Sequence, residues 1–412
     1  MPTTAVFGDA LLEPSTGEVV RDAVVLIEND RVIASSARSK FQVPADAQRV
    51  DAEGLWLLPG LIDCHVHLCV TGATFDLGER LGRPPSLTVL QSVDACAKDL
   101  AAGFTSVRDA GGTPNGVRMA VERGYFPGPR MKLAIQILSE TGGHADGMFP
   151  CGVPVPIANT PDIPPSVVDG VEPMRHRVRE LVRAGADWIK LCTSGGVLSP
   201  GDAPHHPAFT VEEIRAAVEE AAAHGRQVMA HAQANAGIKN ALRAGVRTIE
   251  HGIWLDDDAI EMMLDGGHVL VPTLVAPEWV VRHANEGRMP QWAADKGRAV
   301  VADHKASVRK AIEAGVKIAF GTDTGVGPHG TMGEEFLMLN ALGMEPIKCL
   351  RSATSVAAEV IGLEGAGSLA AGSFGDVIGV PGNPLEDLNL IAKPENVRLV
   401  VKGGAVVKRL AA

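Results

Sequence analysis

A chain of 412 residues, 46% hydrophobic and 21% charged, is longer than one minimal domain requires; a large domain of roughly 300 residues with a smaller companion fits it better. The formal charge of −11 is spread along the chain, which argues against nucleic acid as a partner, because phosphate binding needs a positive surface. No apolar run of about 18 residues is present to span a membrane, and the opening Met1-Pro2-Thr3-Thr4 lacks a basic-then-apolar secretory signature, so a cytoplasmic location is expected.

From the first residues onward, 3–56 reads as short β-strands. Ala23–Glu28 and Val32–Ser35 are apolar runs split by a hairpin turn that begins Asn29-Asp30. The pattern then changes to apolar strands alternating with helices. Candidate strands are Gly60–Cys64, Ser106–Asp109, Leu133–Leu138, Trp188–Leu191, Gln227–Ala230, Thr248–Glu250, Val269–Pro272 and Lys317–Phe320. Val211–His224 and Ala306–Ala314 space their apolar residues three and four apart, as helices do. Gly103, Gly185, Gly245, Gly267 and Gly315 each stand between a helical stretch and the next strand, where a left-handed residue ends a helix. Asp256-Asp257-Asp258 reads as a helix cap after the sixth strand rather than a calcium loop. Beyond Gly367, Asp376–Val380, Val397–Val401 and Ala405–Val407 are again β-rich, with Gly403-Gly404 at a second hairpin turn.

Eight strand–helix units fit a (β/α)8 TIM barrel. The two β segments at the chain ends are each too small to bury a core alone and are expected to pack together. The expected organisation is a β-sandwich domain from residues 1–56 and 366–412 around a barrel of residues 57–365. Six cysteines (Cys64, Cys69, Cys96, Cys151, Cys192, Cys349) form no CxxC pair and read as buried thiols rather than disulfides.

Chemistry gathers at strand ends. His65-Val66-His67 places two imidazoles on one face of the first strand, since residues two apart in a strand point the same way. Alone, such a pair is weak evidence, and its blander reading is two partly exposed histidines near a strand end. Lys190 ends the apolar fourth strand, His231 the fifth and His251 the sixth, and Asp323 follows the eighth. In a barrel these ends converge on one mouth, where catalytic groups are found.

With Pro59-Gly60-Leu61-Ile62-Asp63-Cys64-His65-Val66-His67, this ligand order and Gly372-Ser373-Phe374-Gly375-Asp376, the chain resembles the amidohydrolase superfamily over nearly its whole length. Within it, the fourth-strand lysine resembles the binuclear group, in the prolidase and carboxypeptidase-like branch related to imidazolonepropionase. The resemblance implies two divalent metal ions, zinc being expected, bridged by a Lys190 that CO2 has carboxylated. It further implies that His65, His67 and Asp323 hold one ion and His231 and His251 the other. Asp323 would accept the proton of a metal-activated water and pass it to the leaving amine, while the second ion polarises the scissile carbonyl.

The loop Thr141-Gly142-Gly143-His144-Ala145-Asp146 resembles one whose histidine steadies the carbonyl oxygen or the tetrahedral intermediate, which makes His144 a second catalytic candidate. Ser194-Gly195-Gly196 after the fourth strand could admit substrate, or simply be flexible. His205 and His206 read as surface residues, and His176, His224, His268, His283, His304 and His329 as structural. Gln233 stands where relatives that prefer basic C-terminal residues often carry tyrosine, which speaks against that preference here.

Three functions compete. The first is hydrolysis of the amide bond of a dipeptide or N-acyl amino acid with a proline or apolar C-terminal residue, by a homo-oligomer acting on a small molecule. The second is a deaminase or cyclic-amide hydrolase of the same superfamily. The deaminating branch and imidazolonepropionase typically carry a glutamate where Ala234 stands, whereas hydantoin-type ring opening remains compatible. The third is a non-catalytic, metal-free interaction protein, disfavoured because every ligand type is present.

Overall fold

The computed structural model describes residues 3–40, 42–70, 82–149, 151–154 and 162–410. The chain opens with β1 (Thr4–Glu13), β2 (Glu18–Glu28), β3 (Arg31–Ala37) and β4 (Gln48–Pro59). The turn between β2 and β3 places Asn29 and Asp30 at φ 48° and 75°, the left-handed pair that a tight hairpin requires and that these two residues tolerate.

From β4 the chain enters a parallel α/β region. β5 (Leu61–Val66), β6 (Phe104–Asp109) and β7 (Arg130–Leu133) form one parallel sheet. β8 (Ile137–Leu138), β9 (Trp188–Cys192), β10 (Gln227–Ala232), β11 (Thr248–His251), β12 (Val269–Val271) and β13 (Lys317–Ile318) form a second, each strand beside its sequence neighbour. The expected third strand is thus two short ones. Ile135 between them lies at φ 68°, and its carbonyl accepts from Gly112 rather than from a strand. On the other side the two sheets are joined by backbone bonds from Cys64 to the Phe320 carbonyl at 2.9 Å and from His67 to the Thr324 carbonyl at 2.7 Å.

The helices obey their caps. Thr210 and Glu213 form a reciprocal capping box at the start of Val211–Ala223, and Asp256 accepts from the Ala259 amide at 2.9 Å at the head of Asp257–Gly266, as expected. Gly185, Gly245, Gly267 and Gly315 are left-handed at helix ends. The last long helix is Gln291–Ala314, not Ala306–Ala314. A mid-helix glycine weakens its first half as a signal, yet a Cβ on Gly297 would lie 2.8 Å from Val280, so the glycine lets this helix approach Val275–Asn285 closely.

The chain returns through β14 (Val377–Val380), β15 (Leu399–Lys402) and β16 (Ala405–Arg409). β14 pairs antiparallel with β4, which gives one seven-stranded sheet in the order β16-β15-β14-β4-β1-β2-β3. The two chain ends do meet, as strands of a single hydrogen-bonded sheet. Its junction with the parallel region runs through Asp376, whose carboxylate accepts from Arg130 at 3.1 and 3.2 Å and from the Gly403 amide at 2.8 Å. All six cysteines are free and five are buried; Cys151 is exposed, contrary to expectation. Among the described residues no helix is long and apolar enough to cross a membrane.

Candidate metal centre

The carboxy-terminal ends of the parallel strands bring the six expected ligands together. His65 and His67 leave β5 on one face, and Asp323 follows β13; ligand atoms of these three lie within 4.8 Å of one another. Asp323 Oδ1 is 3.1 Å from His67 Nε2 and 3.4 Å from His65 Nε2. Lys190 Nζ, from β9, lies 3.3 Å from the same His65 nitrogen. The His251 ring is centred 5.2 Å from that of His65 and 4.6 Å from that of His231.

Two of these positions adopt left-handed backbone: His251 at φ 72° and Asp323 at φ 57°. Such strain costs about 1–3 kcal/mol per residue and persists only where the surroundings hold it. At β11 it has a purpose. Neighbouring strand residues normally point to opposite faces, but here both reach His65: Glu250 Oε2 lies 2.5 Å from His65 Nδ1, beside the His251 ring contact.

Acceptors behind the imidazoles fix which nitrogen faces the centre. His65 Nδ1 donates to Glu250, His67 Nδ1 donates to the Gly111 carbonyl at 2.7 Å, and His231 Nε2 donates to the Gly195 carbonyl at 3.1 Å. This leaves Nε2 of His65 and Nδ1 of His231 as lone-pair atoms, while Nε2 of His67, 3.1 Å from Asp323 Oδ1, donates to that carboxylate in the metal-free centre. Burial, with Lys190 next, lowers the His65 pKa to about 4. Burial and neighbouring cationic groups hold His231 and His251 well below the ordinary range. Burial opposes charge on His67 too, but its hydrogen bond to Asp323 outweighs this and raises its pKa. Burial likewise opposes ionisation of Asp323, yet His65 and His67 hold its pKa well below normal. Burial depresses the Lys190 pKa. Imidazoles kept neutral by burial at His65, His231 and His251, an ionised carboxylate and oriented outer partners are a donor set that fits divalent zinc.

Sequence reasoning missed the support beneath this cluster. Glu250 accepts from Arg108 Nη2 at 3.0 and 3.1 Å and from Thr248, and both members of the Arg108–Glu250 pair are fully buried. The available signal was an opposite pair of charges inside two strand-like runs. His304, read as structural, donates from Nε2 to the His251 carbonyl at 3.0 Å and lines the cavity. His329 bonds to buried Asp99 at 2.9 Å and to the Val70 carbonyl at 2.9 Å, which anchors the chain after β5. His205 and His206 are exposed, as expected.

His144 does reach the cluster: its ring stacks on His231 at 4.3 Å between centroids and 19° between planes. The neighbouring glycines serve close approach rather than flexibility, since a Cβ on Gly196 would lie 2.2 Å from the His144 ring. Above the cluster opens a cavity of roughly 370 Å³, walled by apolar side chains including Ile137, Val197, Ile253, Val280 and Val326. Among its described lining residues only Asp146 and Asp323 carry carboxylates, and Asp146 accepts from the Gly142 amide. Gln233 lines it too, buried, with no protein partner for Oε1.

Histidines and a lysine at the ends of parallel strands, with an aspartate just beyond the last, beneath an open apolar-walled cavity define a hydrolase centre. The amidohydrolase family model matches residues 56–407, and the chain belongs to that family. It is 33% identical over 424 residues to ochratoxinase from Aspergillus niger, covering 97% of this chain and 85% of the relative. A crystal structure of a prolidase complexed with N-methylphosphonate-L-proline is 36% identical, covers 99% of this chain and 100% of its own, and superposes with a TM-score of 0.90. That of a Xaa-Pro dipeptidase with methionine bound in the active site is 31% identical, covers 98% and 99%, and has a TM-score of 0.87.

Proposed function

We propose that this enzyme hydrolyses the amide bond of dipeptides or N-acyl-L-amino acids whose C-terminal residue is proline or apolar. The observation that carries this reading is the cluster of four buried imidazoles, buried Lys190 and part-buried Asp323 under an apolar-walled cavity. The prolidase and Xaa-Pro dipeptidase likenesses support the peptide substrate, and the ochratoxinase likeness supports amide hydrolysis. In this reading the two parallel sheets are one (β/α)8 barrel spanning residues 57–365, and the seven-stranded sheet folds over as a β-sandwich from residues 1–56 and 366–412.

His65, His67 and Asp323 would hold one zinc ion and His231 and His251 a second, with Lys190 shared. When bound, the ions polarise the scissile carbonyl and bring the pKa of the attacking water to about 7. Lys190 suits the bridge because burial favours its neutral amine, which adds CO2 and releases one proton to become a carbamate anion. Asp323, ionised and hydrogen-bonded to His67, takes the water's proton and returns it to the leaving amine. His144 faces the carbonyl oxygen and steadies the charge that develops there.

The cavity wall supports the side-chain preference. Asp323 belongs to the proposed metal cluster, and the one other carboxylate among the described lining residues, Asp146, has an oxygen held by the Gly142 amide, so the wall offers little to draw a C-terminal Lys or Arg. A library of dipeptides and N-acyl-L-amino acids, screened with the zinc-loaded protein, tests this. Turnover should favour proline and apolar C-terminal residues. A clear preference for C-terminal lysine would overturn the specificity, and turnover of hydantoins alone would replace the reaction with ring opening.

A further inference from the structure

The chain between β9 and the helix Val211–Ala223 forms a knot of polar contacts around His144. His144 Nδ1 lies 2.7 Å from Ser199 Oγ and 3.7 Å from Asp202 Oδ2. Ser199 Oγ also bonds closely to Asp202 Oδ1. A carboxylate can only accept, so Ser199 spends its one hydroxyl proton on Asp202. Its oxygen must then accept from His144, which fixes Nδ1 as the donor. Asp202 Oδ2 accepts from the Gly196 amide at 2.9 Å, and Gly196 is the residue whose missing side chain makes room for the His144 ring. The whole turn is fastened from outside by Lys296, on the helix Gln291–Ala314. Its ammonium donates to the carbonyls of Gly196 at 3.1 Å, Ser199 at 2.7 Å and Asp202, and to Asp202 Oδ1 at 3.3 Å. One lysine thus satisfies three backbone carbonyls and a carboxylate. Asp202 is nearly buried, with 7% of its side chain exposed.

We propose that Ser199, Asp202 and Lys296 are positioning residues for His144: together they hold its ring on His231 and turn Nε2, the nitrogen they leave free, toward the substrate carbonyl, to which it donates when the ring carries both protons opposite the Asp202 carboxylate. The inference rests on the hydrolase reading above for what His144 does. It stands apart from that reading for how His144 is held. A misplacement of about 1 Å in a group that meets the reacting atoms can cost ~10²-fold in rate, so the knot is worth far more to turnover than its distance from the metal cluster suggests.

The test compares Asp202→Asn, Ser199→Ala and Lys296→Met, each alone and combined with His144→Asn, using zinc-loaded enzyme and an N-acyl-L-proline. Each single variant should lower kcat by ~10- to 100-fold with KM within about threefold of the parent and metal content unchanged. In the His144→Asn background the same changes should cost less than about threefold more, because residues acting through one group are not additive. Crystal structures of Asp202→Asn and Ser199→Ala should show the His144 ring displaced from its stack on His231. Additive losses in the double variants, or a ring still stacked in place, would overturn the assignment. Should Asp202→Asn not fold, Ser199→Ala carries the same comparison, because it leaves the Lys296 anchor intact. A parent enzyme inactive on every amide tried would defeat the hydrolase reading, while the ring position would still decide this one.

Discussion

Glu250→Gln removes one charge and almost no volume from the support of the metal cluster, so its consequences can be worked from the structure. The parent carboxylate is fully buried, paired with Arg108 and bonded to His65 Nδ1. Burial alone would raise its pKa; Arg108, then His65, overcome this and lower it from 4.5 to about 2. A drop of that size corresponds to roughly 3 kcal/mol of folding stability, in line with the ~3–5 kcal/mol typical of breaking a buried ion pair. The sign follows from the depressed pKa. The contribution is fully present above pH 4.5 and is lost as pH falls toward 2. Urea unfolding of the metal-free protein should therefore show Glu250→Gln destabilised by about 3 kcal/mol at pH 7, with the gap to the parent narrowing below pH 4.5. Adding Arg108→Met should recover part of the loss, since removing both charges leaves no buried cation uncompensated. Zinc affinity should fall ~10- to 100-fold in the single variant, because His65 loses the carboxylate that orients it. A Glu250→Gln protein within about 1 kcal/mol of the parent at pH 7, or a double variant no better than the single, would refute the reasoning.

Two further outcomes bear on the metal cluster directly. Lys190→Ala should lower metal content, from about two ions per chain by the binuclear reading, and activity with it. Added bicarbonate should not restore either; a fully loaded, active variant would remove the bridging lysine. Asp323→Asn should cost at least ~10²-fold in kcat with little change in metal content, because asparagine keeps an oxygen donor but cannot take a proton. Turnover within a few-fold of the parent would assign Asp323 to metal binding alone.

Much of this site was legible because each ligand interrupts an apolar run at its end. Lys190, His231 and His251 are the polar residues that close β9, β10 and β11, or lie one or two residues short of the close. What lay beneath was not legible, for reasons of geometry. Alternation assigns Glu250 and His251 to opposite faces, and only the left-handed backbone at His251 cancels that rule. No local pattern announces a left-handed isoleucine at 135, so the third strand read as continuous. Lys296 and Asp202 meet across 94 residues of chain, and a lysine on a helix face looks solvated until its acceptors are seen. The sheet shared by both chain ends follows the same logic. Composition marks β4 and β14 as strands, but their antiparallel register, Leu58 beside Ile378, is a tertiary fact.

On the proposed two-metal reading, the buried charges give a reason for a lysine among the ligands. Without metal and with Lys190 protonated, the centre would hold two cations, Arg108 and Lys190, against two anions, Glu250 and Asp323, and be close to neutral. Four positive charges from a pair of divalent ions would leave a large excess in a low-dielectric interior, where an unpaired charge is most costly. Arg108 cannot shed its proton and is held by Glu250, so Lys190 is the adjustable member. Losing its proton removes one positive charge, and becoming a carbamate removes a second while adding oxygen donors. The same excess lowers the pKa of any water drawn into the centre. Burial, which depresses the Lys190 pKa, already favours the first of these two losses before any ion is bound.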